Sequence, residues 1–217
     1  MISWKLLTSN GIMAAVSLSY ALGVQAADDS SWYIGAGFGT SDAKRTTSWG
    51  QQADVALLAN GITSSTLVES HATAWKFFAG YQFDQNFALE GGYTDLGKFN
   101  GTTTVTAPAA GLATGKWQAR SPLNLAVVGS YPIKDRFSVL GKLGLAVTKV
   151  TASITPPAPA SLSATRVQPL LGVGLKYDFT KAFAVRGEFE HFNNVGDGSN
   201  TGQTTIHMWS LSGQYRF

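Results

Sequence analysis

Glu90, Arg186, Lys142 and Glu188 stand at matched positions of a segment that the chain uses three times. The copies are YQFDQNFALEGG at 81–92, YPIKDRFSVLGK at 131–142 and YDFTKAFAVRGE at 177–188. Glu90 and Arg186 fill one slot of this template, and Lys142 and Glu188 share the slot two residues further on. Opposite charges in equal slots of different elements can pair, provided the elements bring those slots to one height. Glu190 follows on the same face, while Lys76, Arg120, Arg166, Lys176 and Arg216 fall toward other levels. The three histidines, His71, His191 and His207, have no metal-ligand spacing, so no metal or cofactor is expected.

The elements that must position these charges are strands. Residues 32–39, 75–83, 87–94, 123–131, 137–148, 166–179, 183–190 and 208–217 all alternate with a period of two. Trp32, Ile34, Ala36 and Phe38 face one way against Tyr33, Gly35, Gly37 and Gly39; Trp209, Leu211, Gly213, Tyr215 and Phe217 oppose Ser210, Ser212, Gln214 and Arg216. Each template copy then reads as a tight hairpin with a three-residue turn, in which Phe or Ile before the turn meets Phe after it and helps set the register. The long connections, roughly 40–73, 96–115, 150–164 and 193–204, are polar and rich in glycine and proline. A short helix is expected over Ala53–Ala59.

Composition narrows the class. There is no cysteine, which excludes disulfides and thiolate chemistry. The net charge of +3, without a basic cluster, argues against a nucleic-acid partner. Lys5 precedes the uncharged stretch Leu6–Val24, which ends in Val24-Gln25-Ala26, so residues 1–26 read as a signal peptide and 27–217 as the folded domain. Beyond it no apolar run is long enough for a spanning helix, and a closed β-barrel is the one remaining way to cross a membrane.

Alternation alone does not separate a membrane barrel from a soluble one. Four features favour the membrane. Aromatic residues gather at strand ends on the apolar face. The other face mixes Gly, Ala and Ser with long charged residues, which suits a crowded eight-stranded interior. Short turns alternate with long loops, and the terminal Phe217 lies on the apolar face.

The opening strand WYIGAGFG, the hairpin GYQFDQNFALEGGYTDLGKF, the turn SYPIKDRF and the closing run RGEFEHFNNVGDGSN with WSLSGQYRF resemble the transmembrane domain of the outer-membrane protein A family. The resemblance covers the whole chain after the leader. It implies an all-β, eight-stranded antiparallel up-and-down barrel in the bacterial outer membrane, with periplasmic termini and four extracellular loops. It ends at Phe217, ahead of the peptidoglycan-binding domain of the family's best-known member, so peptidoglycan anchoring is not carried over. In that family an interior salt-bridge layer plugs the barrel and has been discussed as a gate. Glu90, Arg186 and Glu188 match its pattern, and Lys142 joins them by slot; a further lysine usual on the strand of 123–131 is replaced by Val128.

The resemblance implies a structural role in envelope integrity, with loops available for adhesion to host surfaces. A narrow gated pore is the first alternative and a lipid-modifying enzyme the second. The enzyme reading would want a serine two residues after a histidine, and His191-Phe192-Asn193 does not supply it. No catalytic residue is therefore assigned. The expected partners are outer-membrane lipid, lipopolysaccharide and the barrel-assembly machinery. Trp209, Leu211, Tyr215 and Phe217 resemble the C-terminal signal which that machinery reads, and Tyr215-Arg216-Phe217 begins a fourth copy of the template. No polar seam breaks the apolar face, so a monomer is expected.

Overall fold

The computed structural model describes residues 31–44, 51, 54, 55, 57–154, 160–197 and 202–217. The leader and its cleavage point, Ala53 and Ala56 of the expected loop helix, and residues 155–159 lie outside them. Among the described residues nine strands form one antiparallel sheet: β1 (Ser31–Ala43), β2 (Thr63–Val68), β3 (His71–Gln82), β4 (Phe87–Ala107), β5 (Gly111–Lys134), β6 (Phe137–Ile154), β7 (Ala160–Asp178), β8 (Phe183–Asp197) and β9 (Gly202–Arg216). Pairing of β1 with both β3 and β9, and of β4 with β5, closes eight of them into a ring. The ninth, β2, pairs with the outer half of β4 and continues the line of β3 after a break at Glu69-Ser70.

Strands run further than alternating hydrophobicity suggests. The connection expected at 96–115 is mostly paired, from Lys98↔Gln118 to Val105↔Gly111, leaving residues 108–110 to turn the chain. Above a membrane neither face of a ribbon need be apolar, so the Thr102–Thr106 ladder hides its period while threonine still favours strand. The other three connections shorten likewise, because β1, β6 and β8 reach Ala43, Ile154 and Asp197 and their partners start earlier. Residues 54, 55, 57 and 58 are helical.

At the short-turn end, Phe83 and Phe179 donate backbone hydrogen bonds to Phe87 and Phe183 across their turns. The middle turn differs from the expected three residues. Lys134 pairs with Phe137 over a two-residue Asp135-Arg136 turn, and the extra residue is absorbed as a register shift between Pro132 and Lys134. Asp135 sits at φ 42°, a left-handed conformation that Asp tolerates better than most residues. Tyr and Phe of the template meet edge to face: Tyr81–Phe83 at 5.3 Å, Tyr177–Phe179 at 4.7 Å and Tyr215–Phe217 at 5.4 Å. The truncated last copy thus has the geometry of the complete ones, and the three pairs belong to one aromatic belt.

The interior is layered. Near the short turns Tyr33, Phe78, Ala88, Val128 and Leu140 form a small apolar cluster. Toward the other end a larger one gathers Leu96, Phe99, Trp117, Val150, Leu170, Phe192, Val195, Ile206 and Met208. Three register shifts create it: Asp95/Gly97 in β4, Arg120/Leu123 in β5 and Phe192/Val195 in β8. Each bulge reverses which residues point inward. Even-numbered residues such as Ala88 and Glu90 are buried below the β4 bulge, and Phe99 is buried above it.

Candidate functional site

Between the two apolar layers lie six charges, three of each sign. Lys142 Nζ on β6 stands at the centre, 2.6 Å from Glu90, 3.3 Å from Glu188 and 2.9 Å from Glu190. Arg186 on β8 bridges Glu90 at 2.7 Å through Nη1 and Glu188 at 2.6 Å through Nη2. Lys76 on β3 reaches Glu188 at 2.7 Å and Glu190 at 2.9 Å. Every carboxylate contacts at least two cations, and all six side chains are 5% exposed or less. The Tyr33 hydroxyl donates to Glu90 Oε2 at 3.2 Å, and Arg186 Nη1 donates to Gln214 Oε1 at 3.3 Å.

Local sequence explains how so many long side chains fit. Gly35 and Gly80 each face an aromatic residue directly across the β1–β3 ladder, Phe78 and Tyr33 respectively. With no Cβ in the way, the Phe78 ring lies over Gly35, where a built Cβ would also meet Gly213 O at 2.8 Å. The ring then forms a floor for the charges: Arg186 Cζ lies 4.7 Å and Lys76 Nζ 5.7 Å from its centre. Such cation–π contacts gain strength where water is excluded. The space left beside the cluster is about 10 Å³, lined by Lys76, Phe78, Glu90, Asn124, Lys142 and Glu190 among others. That is room for about one water molecule.

The structure brings Glu90, Lys142, Arg186 and Glu188 together and adds Glu190 and Lys76. Sequence reasoning assigned Lys76 to another level, because the stagger that closes a barrel shifts heights between strands and is invisible in any one hairpin. Of the other charges placed toward the interior, Lys176 pairs with Asp178 at 3.2 Å near the short turns. Arg120 and Arg166 are half-exposed beside Asp95 and Asp197, at 3.1 and 3.7 Å. For Arg120 the reason is the β5 bulge, which turns its side of the strand outward. Val128 lies in the lower apolar cluster. Trp209, Leu211, Tyr215 and Phe217 all point outward.

The sequence matches the profile described as OmpA-like transmembrane domain over residues 26–217. It is 31% identical to outer membrane protein A of Serratia marcescens over 212 residues, covering 95% of this chain and 55% of that one. It is 30% identical to outer membrane protein A of Salmonella typhi over 214 residues, covering 95% and 54%. The chain therefore spans about half the length of the curated relatives it matches. Among solved structures, Neisserial surface protein A superposes with a TM-score of 0.55 at 12% identity, covering 88% of this chain and all of that one. Ail, the attachment invasion locus protein of Yersinia pestis, solved with the heparin analogue sucrose octasulfate, gives 0.52 at 16% identity, covering 87% and 99%. At such identities the likeness is one of fold: both are outer-membrane β-barrels.

Proposed function

The chain belongs to the OmpA-like transmembrane domain family, and from that membership we propose that this outer-membrane β-barrel is a closed structural element of the bacterial envelope. The supporting observation is the six-charge cluster between two apolar layers, with space beside it for about one water. Opening a path would require separating carboxylates from cations where there is room for only about one water to replace them, and a buried charge stripped of its partner costs several kcal/mol. Planar-bilayer recording on refolded protein tests this. A silent bilayer for wild type is expected; discrete conductance steps that Glu90→Ala or Arg186→Ala alters would establish the gated pore instead.

The outward aromatic belts face membrane lipid, including lipopolysaccharide in the outer leaflet. Trp209, Leu211, Tyr215 and Phe217 serve as the signal for the barrel-assembly machinery. No catalytic role is assigned: His191 and His207 stand on the outer face, and His71 lies beside Asp42 at 3.6 Å. A monomer suffices for all of this. The strand extensions beyond the bulges supply surface for adhesion to host structures. Replacing the outer ends of β2, β4 and β5 should abolish host-surface binding while heat-modifiable gel mobility is unchanged.

A further inference from the structure

The three histidines are remote in sequence, but the barrel register aligns them. His191 on β8 is directly opposite His207 on β9, which is opposite Asp42 on β1, which is opposite His71 on β3. Directly opposed residues share a face of the sheet, and this face is the outer one. The His191 and His207 rings have centroids 4.9 Å apart at an interplanar angle of 40°. The next row toward the membrane is aromatic, with Phe189 and Trp209 4.7 Å apart and Phe189 5.2 Å from His207. Next outward, Lys44 is bonded to the Thr205 backbone, and the Thr205 hydroxyl donates to Asn193 at 3.3 Å. The pair therefore stands just outside an aromatic belt, at the level where such belts meet the wet headgroup layer.

We propose that His191 and His207 form a two-histidine site for a borderline divalent metal, with Cu²⁺ the tightest ligand, on the extracellular rim of the barrel. Neutral imidazole is a good donor to Cu²⁺, Ni²⁺ and Zn²⁺, and copper binds most strongly of these in the divalent series. Two imidazole nitrogens about 2.0–2.1 Å from one metal, at right-angle to tetrahedral ligand angles, put the ring centres roughly 4.5–5.2 Å apart. The observed centroid spacing of 4.9 Å falls in that interval, as a metal shared by the two rings requires. Among the described residues no group of three His, Cys, Asp or Glu side chains is arranged to hold a metal. The site is accordingly two-coordinate from the protein and leaves positions for water or for lipid phosphate oxygens. Asp42, beside His207, adds a negative charge, which Lys44 partly offsets.

The test is titration of tag-free, folded protein in detergent with copper(II) chloride, read by calorimetry and by electron paramagnetic resonance. Wild type is expected to show a site with hyperfine structure from two nitrogens. His191→Ala and His207→Ala should each weaken binding at least tenfold and leave one nitrogen, while His71→Ala changes neither. Tryptophan fluorescence should be partly quenched in step with occupancy in wild type, through Trp209 beside the pair, and not in the double variant. Equal binding by wild type and the double variant, a one-nitrogen signal in wild type, or an equal loss with His71→Ala would overturn the proposal. Unchanged heat-modifiable mobility certifies that each variant is folded.

Discussion

The guanidinium of Arg186 lies 4.7 Å from the centre of the Phe78 ring, while both its Nη atoms hold carboxylates, Glu90 and Glu188. One cation thus serves two electrostatic partners and one aromatic face in a buried site. Phe78→Leu, which keeps an apolar side chain but removes the π-face, should destabilise the barrel by about 2 kcal/mol. Phe78→Ala should cost about 3–5 kcal/mol, because a cavity is added. Urea unfolding in lipid vesicles, followed by tryptophan fluorescence, measures both.

Glu90→Ala strips a carboxylate from Lys142 and Arg186 together and is expected to cost about 3–5 kcal/mol. Adding Lys142→Ala leaves Lys76 and Arg186 against Glu188 and Glu190, again neutral. The double variant should therefore lose less than the sum of the singles, with a coupling of about 1–3 kcal/mol by a double-mutant cycle.

Gly97 adopts φ 92° in the β4 bulge, and a Cβ there would come within 2.5 Å of Thr73 O and 2.6 Å of Ala72 Cβ. Gly97→Ala should destabilise by about 2 kcal/mol. Gly101→Ala, where the nearest atom to a new Cβ is 3.7 Å away, should change stability by less than about 0.5 kcal/mol. Equal effects in thermal unfolding would show that the bulge does not depend on this glycine.

Asp54, in the helical stretch before β2, accepts hydrogen bonds from the Thr66 hydroxyl at 2.7 Å, the Ser64 hydroxyl at 2.8 Å and the Thr66 N–H at 3.0 Å. These bonds, the Thr66 hydroxyl first, hold its carboxyl below the ordinary aspartate value. Because the folded pKa is depressed, the tether is at full strength above an ordinary pKa of about 3.9 and is lost as pH falls through the lower folded value. A carboxyl-carbon NMR titration should find Asp54 below that ordinary value, and Thr66→Val should move it back up.

Phe217→Ala removes half of the Tyr215–Phe217 edge-to-face pair. If the C-terminal strand is the assembly signal, insertion into vesicles carrying the assembly machinery should slow several-fold. Phe179→Ala, which breaks the equivalent pair in an internal hairpin, should leave that rate unchanged.

How far the sequence foretold this structure depended on where alternation meets lipid. Between the belts every outward residue must be apolar, so the strands around Phe87, Val139 and Leu175 announced themselves, and the three template copies marked the short turns. Above the outer belt that constraint lapses. There the Thr102–Thr106 ribbon looked like loop, and the inward packing of Phe99, Trp117 and Val195 was hidden by bulges that reverse parity. Equal slots placed Glu90 near Arg186 because both lie at the same distance from a short turn. Lys76 escaped that logic, since it precedes its turn and its height depends on stagger around the whole ring. The His191–His207 encounter likewise needs the register of β8 on β9, which no spacing encodes.

From the β4 bulge outward, β4 and β5 stay paired for eight further residue steps, Gly97↔Ala119 to Val105↔Gly111. At about 3.4 Å per residue and a tilt near 40°, that ribbon raises its tip roughly 20 Å above the bulge. The result is a mast fixed at its foot to a rigid wall. A short peptide grafted at 108–110 would be displayed at a set distance from the cell, clear of the barrel's own packing, which makes this chain a natural scaffold for surface display.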